Sequence, residues 1–473
     1  MTPRHTSATS TLTARVLKAL SVFGSLEVIN MACAVIRTKL VALWIGAAGV
    51  GVISLFNSTM EMLRQVLLLN MRTGAVRDIA AADEAGRGVV CKATTRLGLI
   101  IGIVSSIIVA ALSPLLSRVT FGTYDYTWAF AVLSLTMFAS AVADSSRAVL
   151  QGLARLRHLA VASLWGGVVS TAVAVPMFYW WRMDAIVPVL MVFSFVTAAF
   201  LIVQPTGLVP TKYKAAELTA PMKSIIRFGG YITVAIGFTL LADYALRVYL
   251  NASASIEAVG RFQAGYTVVN SYVGIIFTAI TMEFYPRLAS VASRRRRAEV
   301  IVAHEITIVQ WILLPVVIVF LSADQLIIRV LYSESFIDAV EYMSPAIVGV
   351  MLRGSSWCMS YMMLANSDGR AYVVTEIASS LLMLGLSIAL WQDYGFAGLG
   401  AAYLIQYIVY AAMTYGVCRV RYRMRMPAAV VRLIVAMPLI AGAALAMRLT
   451  IGWWAPLLLL PFILPPALKI LRR

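Results

Sequence analysis

The chain has 473 residues, of which 61% are hydrophobic and 13% are charged, and its formal net charge is +18. Water-soluble proteins are roughly half apolar and a quarter charged, so this composition excludes a soluble globular protein and predicts a membrane protein. The basic excess does not indicate nucleic-acid binding, because the arginines stand in short clusters between long apolar segments and form no continuous basic face.

Apolar segments of about twenty residues, the length that crosses a bilayer, recur along the whole chain and predict an all-α, polytopic protein with about fourteen transmembrane helices. In chain order we expect these spans at 16–37, 47–70, 95–117, 126–151, 158–181, 185–204, 225–250, 258–285, 301–322, 342–365, 371–391, 396–417, 428–447 and 452–470. The first span is not followed by the small-residue cleavage site of a secretory signal, so we expect it to be retained.

Basic residues crowd every second connection between the predicted spans. They occupy the connections within 72–87, 155–157, 212–223, 294–297 and 419–425, whereas 334–341 is acidic. Because lysine and arginine mark cytoplasmic loops, this alternation predicts a multi-pass protein of the bacterial inner membrane with both termini in the cytoplasm. Contact of the same clusters with anionic lipid headgroups is the alternative.

A weak internal repeat relates the two halves of the chain. The segment Ile36–Phe56 resembles Leu246–Val268, and Val50-Gly51 matches Val259-Gly260. The repeat predicts two related lobes of about six helices each, followed by two further helices. We place the N-terminal lobe at 1–210, the C-terminal lobe at 211–420 and the additional helices at 421–473.

The sequence lacks the patterns expected of an enzyme. It has no phosphate-binding Gly-x-x-x-x-Gly-Lys-Ser/Thr loop and no cluster of carboxylates or histidines. The four cysteines, Cys33, Cys91, Cys358 and Cys418, are widely separated, which indicates neither a metal site nor a disulfide. We therefore expect a transport protein that needs no cofactor or metal.

Charged residues inside the predicted spans are the best candidates for function, because a charge in the membrane usually faces a bundle interior or a water-filled cavity. Arginine binds phosphate oxygens in a bidentate fashion and stays charged, so it suits a phosphate-bearing substrate. The candidate substrate-binding residues are Arg37, Arg64, Arg147, Arg247 and Arg353; the candidate ion-coupling or gating residues are Glu27, Glu61, Asp144, Asp243 and Glu283.

Three acidic residues among these candidates stand at helical spacing from an arginine: Glu61 with Arg64, Asp144 with Arg147, and Asp243 with Arg247. Such pairs can also be purely structural, neutralising each other and fixing helix packing. Four carboxylates are expected to lack a basic partner at helical spacing and to find one on another helix, meet water or be protonated: Glu27, Glu283, Glu305 and Glu376.

The segment RTKLVALWIGAAGVG from Arg37 to Gly51, together with VGRFQAGY from Val259 to Tyr266 and YPRL from Tyr285 to Leu288, resembles the way Wzx-type oligosaccharide flippases open their second and eighth helices. These flippases belong to the multidrug/oligosaccharidyl-lipid/polysaccharide (MOP) exporter superfamily. The resemblance implies two six-helix lobes that form a V around a central cavity and alternate between inward-facing and outward-facing states. It also implies a substrate carried on undecaprenyl pyrophosphate, and transport driven by an ion gradient.

Two departures bear on the alternatives within the superfamily. Lipid II flippases carry a basic residue midway along the eighth helix, where this chain has Gly265-Tyr266, and multidrug exporters carry a proline and an aspartate in the first helix, which this chain lacks. A cation-coupled multidrug exporter, a lipid II flippase and a membrane scaffold with only structural charges remain alternatives. The expected partners are the lipid-linked oligosaccharide, membrane lipids, and a polysaccharide polymerase and chain-length proteins.

Overall fold

The computed structural model describes residues 32–206, 213–292, 294–366 and 368–471, and every regular element in these ranges is a helix. Six helical segments are long and apolar enough to cross a membrane: Gly86–Phe121, Thr127–Gly152, Leu156–Ile202, Arg295–Leu331, Gly369–Val420 and Ala428–Thr450. The prediction of an all-α, polytopic membrane protein is therefore confirmed.

Seven helices lie in the first described range, 32–206. They are α1 (32–44), α2 (Gly46–Leu67), α3 (Met71–Ala81), α4 (Glu84–Phe121), α5 (Thr127–Gly152), α6 (Leu156–Trp181) and α7 (Ile186–Ile202). The Asp83 side chain accepts a hydrogen bond from the Gly86 amide and begins α4, and Gly122 ends it with φ of 77°. The short helix α3 was not predicted.

Eight helices follow in the described remainder of the chain. They are α8 (Ala215–Ser253), α9 (Ile256–Thr267), α10 (Gly274–Ala289), α11 (Arg295–Leu331), α12 (Ala339–Ala365), α13 (Gly369–Val420), α14 (Ala428–Thr450) and α15 (Leu460–Leu471). Gly395, with φ of 54° and ψ of −134°, breaks α13 at the boundary expected between 371–391 and 396–417. The predicted span 452–470 is a short 3-10 turn, Ala455–Leu459, followed by the 12-residue α15.

The chain divides into two compact units, and the boundary lies between Leu240 and Leu241, inside α8. The sequence placed it at 210–211. The first part of α8 belongs to the N-terminal unit because it packs closely against α3: a Cβ atom at Gly74 would lie 2.6 Å from the carbonyl oxygen of Ile225. A Cβ atom at Gly229 would lie 2.1 Å from the carbonyl oxygen of Leu69, so only glycine permits this approach.

A sharp turn joins α2 to α3. Its two residues, Leu69 and Asn70, both adopt left-handed backbone conformations, with φ of 50° and 43°. This conformation is unusual for residues with a side chain and redirects the helix within a few residues. It places the beginning of α3 beside the end of α2.

Both predicted repeat segments have the same local structure. In the N-terminal unit α1 ends at residue 44, and Val50-Gly51 is buried near the beginning of α2. In the C-terminal unit α8 ends at Ser253, the Ser255 side chain begins α9 by accepting from the Ala258 amide, and Val259-Gly260 is buried. This similarity supports the internal repeat.

Candidate functional site

A polar cavity of about 670 Å³ lies within the N-terminal unit. Its described lining comes from α1, α2, α3, α5, α6 and α7, and its charged members are Arg37, Glu61, Arg64, Arg72 and Arg147. Four arginines thus face one carboxylate among the described lining residues. We call this space the first cavity.

Four charged side chains form a continuous network beside the first cavity. Arg64 binds Glu61 through two contacts, Nη2 to Oε1 at 2.6 Å and Nε to Oε2 at 2.9 Å, and its Nη1 reaches Asp144 Oδ2 at 2.9 Å. Arg147 then donates to Asp144 Oδ1 at 3.1 Å. The predicted pairs Glu61–Arg64 and Asp144–Arg147 both form, and the Arg64–Asp144 bond joins them across α2 and α5.

Two further arginines of the first cavity are held without a carboxylate. The Arg37 guanidinium lies 4.4 Å from the centre of the Phe193 ring, and Arg72 donates to Gln151 Oε1 at 3.1 Å. Among the described residues neither arginine forms an ion pair. Since the Glu61–Arg64–Asp144–Arg147 network is neutral in total, Arg37 and Arg72 supply the net positive charge of the cavity.

A second cavity of about 540 Å³ adjoins the first and shares Arg64 and Arg72 with it. Its other charged lining residues in the described part of the chain are Arg77 and Asp144. The Arg77 guanidinium stacks 3.9 Å from the centre of the Phe228 ring. We call this space the second cavity.

In the C-terminal unit, the predicted site residues Asp243 and Arg247 bind side chains of α9. Arg247 donates to Gln263 Oε1 from both Nε and Nη2, at 3.1 and 3.0 Å, and from Nη1 to the main-chain oxygen of Asp243 at 2.8 Å. The Asp243 carboxylate instead accepts from the Tyr266 hydroxyl at 3.0 Å. Arg247 thus contacts Asp243 through the Asp243 main-chain oxygen. The Arg247 side chain also binds Gln263, and the Asp243 side chain binds Tyr266, both on α9.

Arg353 of α12 contacts a segment of π-helix, Val268–Tyr272, that joins α9 to α10. Its Nη1 donates to Asn270 Oδ1 at 2.8 Å and lies 3.2 Å from the Tyr403 hydroxyl of α13. π-Helical turns are rare and occur frequently at functional sites. Helical periodicity alone predicted one uninterrupted helix over 258–285, and it gave no signal for this segment.

Glu283 and Glu305 share a partner that the sequence expectation missed. Arg287 Nη1 lies 3.4 Å from Glu283 Oε1, four residues earlier on α10, and its Nη2 lies 2.7 Å from Glu305 Oε2 on α11. The expectation that Glu283 lacks a basic partner at helical spacing was wrong because α10 continues to Ala289, past the predicted end at 285. The Glu283 side chain is 84% exposed, and it is not among the lining residues of either cavity.

Two of the carboxylates expected to lack a basic partner at helical spacing remain, Glu376 and Glu27. Glu376 accepts a hydrogen bond from the Tyr410 hydroxyl within α13. Glu27 lies outside the described residues. The structure therefore brings together Arg37, Glu61, Arg64, Asp144 and Arg147 at the first and second cavities, and places Asp243, Arg247 and Arg353 in the other unit.

Two cavity residues, Arg72 and Arg77, were interpreted from the sequence only as markers of a cytoplasmic loop. They lie on α3, which is too short to resemble a membrane span. A usable signal was present: Met71, Ala75 and Ile79 recur at every fourth position and are completely or almost completely buried. This spacing is typical of an amphipathic helix.

A model of the family described as polysaccharide biosynthesis protein matches residues 90–341, more than half of the chain. The chain belongs to this family. The matched region contains Asp144 and Arg147 of the cavity network and Arg247 of the C-terminal unit.

The chain is also similar to the lipid III flippase of Escherichia coli (strain K12), with 20% identity over 392 residues that cover 80% of this chain and 92% of the flippase. An inward-facing MATE family multidrug resistance transporter of the MOP superfamily matches with a TM-score of 0.70 and 16% identity, covering 87% of this chain and 98% of the transporter. The inward closed lipid II flippase MurJ matches with a TM-score of 0.69 and 12% identity, covering 95% and 97%.

These similarities confirm the predicted resemblance to the MOP superfamily and show that the chain has its fold. The relatives are flippases and transporters, in agreement with the prediction that the chain is not an enzyme. The structural matches include both lipid and drug transporters, so the fold alone does not select a substrate.

Proposed function

We propose that this protein is a flippase that moves an undecaprenyl-pyrophosphate-linked oligosaccharide from the cytoplasmic to the periplasmic face of the bacterial inner membrane. It does so by alternating access, and an ion gradient drives it. Membership of the polysaccharide biosynthesis protein family and similarity to a lipid III flippase support a lipid-linked substrate.

The observation that carries the proposal is the excess of arginine around the first cavity. A diphosphate brings more than one negative charge, and Arg37 and Arg72 offer positive charge that no described carboxylate neutralises. Guanidinium groups bind phosphate oxygens through two parallel hydrogen bonds, and their charge does not depend on pH. The same excess disfavours a cationic drug as the substrate.

The serines and threonines of the first cavity suit the sugar part of such a substrate. Ser163, Thr171, Ser194 and Thr197 line the wall formed by α6 and α7. Hydroxyl groups both donate and accept hydrogen bonds, as sugar hydroxyls do. Phosphate and sugar would then be bound by different walls of one cavity.

The proposal includes the orientation and the partners expected from the sequence. The basic connections support a cytoplasmic location for both termini, on the side of the membrane from which the proposed substrate starts. A polymerase and chain-length proteins would act on the product after its translocation. Membrane lipids surround the apolar outer faces of the helices.

The direct test is translocation in liposomes that contain the purified protein and a fluorescent undecaprenyl-diphosphate-linked oligosaccharide. An impermeant quencher added outside distinguishes the two leaflets. We expect the wild-type protein to exchange label between leaflets and the Arg37→Gln/Arg72→Gln variant to lose most of this activity. The exposed Arg118, which lines neither cavity, gives the matched control Arg118→Gln.

Two outcomes would contradict the proposal. One is a wild-type protein that leaves the labelled lipid in its original leaflet under an imposed ion gradient. The other is full activity in the double variant. Extrusion of a cationic dye by the same liposomes would instead favour a multidrug exporter.

A further inference from the structure

The second cavity contains more cationic and hydrogen-bonding groups than a structural contact between α3 and α8 requires. Arg64, Arg72 and Arg77 face it, and Asp144 is the one carboxylate among its described lining residues. Asp144 is already bound by Arg64 at 2.9 Å and by Arg147 at 3.1 Å. Arg77 is paired with Asp78 at 2.6 Å, so the positive excess of the second cavity comes from Arg72.

Arg77 is held in a fixed orientation at the edge of this space. Its Nη2 donates to Ser224 Oγ at 3.0 Å, its Nε donates to Asp78 Oδ1 at 2.7 Å, and one face of the guanidinium covers the Phe228 ring. The side chain remains 43% exposed. Asp78 already neutralises this cation, with Nη2 to Oδ1 at 2.6 Å, so a phosphate would bind Arg77 as a second anion, from the side that Asp78 and the Phe228 ring leave open.

An unused donor points to the same conclusion. Gln65 lines the second cavity, and its Nε2 atom is buried without a hydrogen-bond acceptor among the described residues. Buried amide donors are normally satisfied, so a missing acceptor indicates a group that the protein alone does not supply. Phosphate oxygens are such acceptors, and the volume of the cavity lies within the range of about 300–1,000 Å³ typical of ligand sites.

The two cavities have different charged lining residues. Glu61 and Arg147 line only the first cavity, Asp144 lines only the second, and Arg64 and Arg72 line both. Each cavity also has its own arginine, Arg37 in the first and Arg77 in the second. The two spaces are therefore distinct but share cations at their boundary.

We propose that the second cavity is a separate diphosphate-binding site, which receives the substrate diphosphate before it passes along Arg72 and Arg64 to the first cavity. This inference rests on the proposed function and deepens it. Arg72 and Arg77 belong to the basic connection predicted to face the cytoplasm, so the second cavity is the one nearer the proposed origin of the substrate. A path of overlapping sites lowers the cost of moving a charged group into the membrane.

The number of bound anions tests the inference. Equilibrium dialysis of the purified full chain against labelled inorganic pyrophosphate, and separately against farnesyl diphosphate, is expected to give two bound equivalents for at least one of the probes. Arg77→Gln is expected to remove the equivalent in the second cavity, and Arg37→Gln the one in the first. Arg72→Gln is expected to weaken both by about tenfold or more, and Arg118→Gln to change neither.

Folding is checked by comparing the thermal unfolding of each variant with that of the wild type. If Arg77→Gln is poorly folded, Arg77→Lys replaces it, because it keeps the charge but loses the planar fork and is expected to weaken only the second site. A single equivalent that Arg37→Gln and Arg77→Gln each abolish would overturn the second site. It would leave the proposed flippase function intact, since that function is judged by translocation in liposomes.

Discussion

Asp324 of α11 and Arg448 of α14 form an ion pair of 2.6 Å in which both side chains are mostly buried, at 2% and 12% exposure. Ser344 of α12 donates a further hydrogen bond to Asp324 Oδ2 at 3.1 Å. A helix near the end of the chain is thus attached to two helices of the C-terminal unit by a polar contact inside an otherwise apolar environment.

Replacing one member of this pair should destabilise the C-terminal unit strongly. Arg448→Met leaves the Asp324 carboxylate buried without its cation, and we expect a loss of roughly 3–5 kcal/mol in the free energy of unfolding. Thermal unfolding of the purified protein in detergent measures it. The exposed Arg432 on the same helix gives the control Arg432→Met, and the double variant Asp324→Leu/Arg448→Met should recover much of the loss. Equal stability of Arg448→Met and wild type would show that the pair is dispensable.

Two adjacent glycines of α8 provide a paired test of its packing. A Cβ atom at Gly229 would lie 2.1 Å from the Leu69 carbonyl oxygen, whereas one at Gly230 would meet nothing within 4 Å. We expect Gly229→Ala to cost about 1–3 kcal/mol of stability through overpacking and Gly230→Ala to be neutral or slightly stabilising. Thermal unfolding of both variants decides this, and a larger effect at Gly230 would contradict the described contact between α8 and the α2–α3 turn.

Arg64 should be essential for export because it lines both cavities and holds two carboxylates. Arg64→Gln removes a phosphate-binding group and leaves Glu61 without its cation, so we expect export to fall at least tenfold. Arg64→Lys keeps the charge and should retain part of the activity. Surface polysaccharide in a deletion strain that expresses each variant is the measurement. Normal polysaccharide with Arg64→Gln would refute a cationic site at this residue.

Arg247 gives a contrasting case in the other unit. Its guanidinium is fixed by Gln263 and the Asp243 carbonyl and lies 4.9 Å from the centre of the Tyr266 ring. We expect Arg247→Ala to weaken export as well, but together with lower thermal stability, because α8 and α9 lose a common contact. Unchanged stability with reduced export would assign Arg247 a direct role in the substrate path.

The connection between α12 and α13 should respond to acid. Burial raises the pKa of Asp368, but hydrogen bonds from Tyr422 Oη at 2.8 Å, from the Ala371 amide at 3.2 Å and from Arg421 outweigh it, so the pKa lies below its usual range. The stabilisation is therefore complete above the unfolded-state pKa of about 3.9 and is lost as the pH falls through the lower folded value.

The variant Asp368→Asn isolates this effect. Its unfolding temperature should be lower than that of the wild type at pH 7, and the difference should shrink as the pH falls below about 4. The exposed Asp393 gives the control Asp393→Asn. A difference from wild type that is the same at pH 7 and at pH 3.5 would exclude ionisation of Asp368 as its cause.

The long apolar helices could be predicted from the sequence because length and hydropathy are local properties. The boundary between 371–391 and 396–417 coincides with Gly395, whose backbone only glycine adopts easily. In contrast, α3 was missed because eleven residues of mixed polarity do not resemble a span. The last helix was predicted over 452–470 because this segment has a high hydropathy. The helix α15 begins only at Leu460 and has 12 residues.

The candidate site divides in the same way. Glu61, Arg64, Asp144 and Arg147 could be found because charges inside apolar segments are costly and stand out. The Arg64–Asp144 bond could not, since it depends on how α2 and α5 pack. Arg72 and Arg77 were hidden by their position in a basic connection, where topology already explained their charge.

The turn at Leu69 and Asn70 determines whether a family member keeps the spacing between the arginines of the two cavities. Two residues in left-handed conformations cost about 1–2 kcal/mol each, so the corner persists only while packing around it holds. The separation of Arg64 and Arg72 is then dictated by the direction of the backbone and not by the reach of their side chains. A family member that changes the residues of this corner but keeps its angle would preserve the spacing of the two charges, whereas one inserted residue would rotate the second charge away from its neighbour.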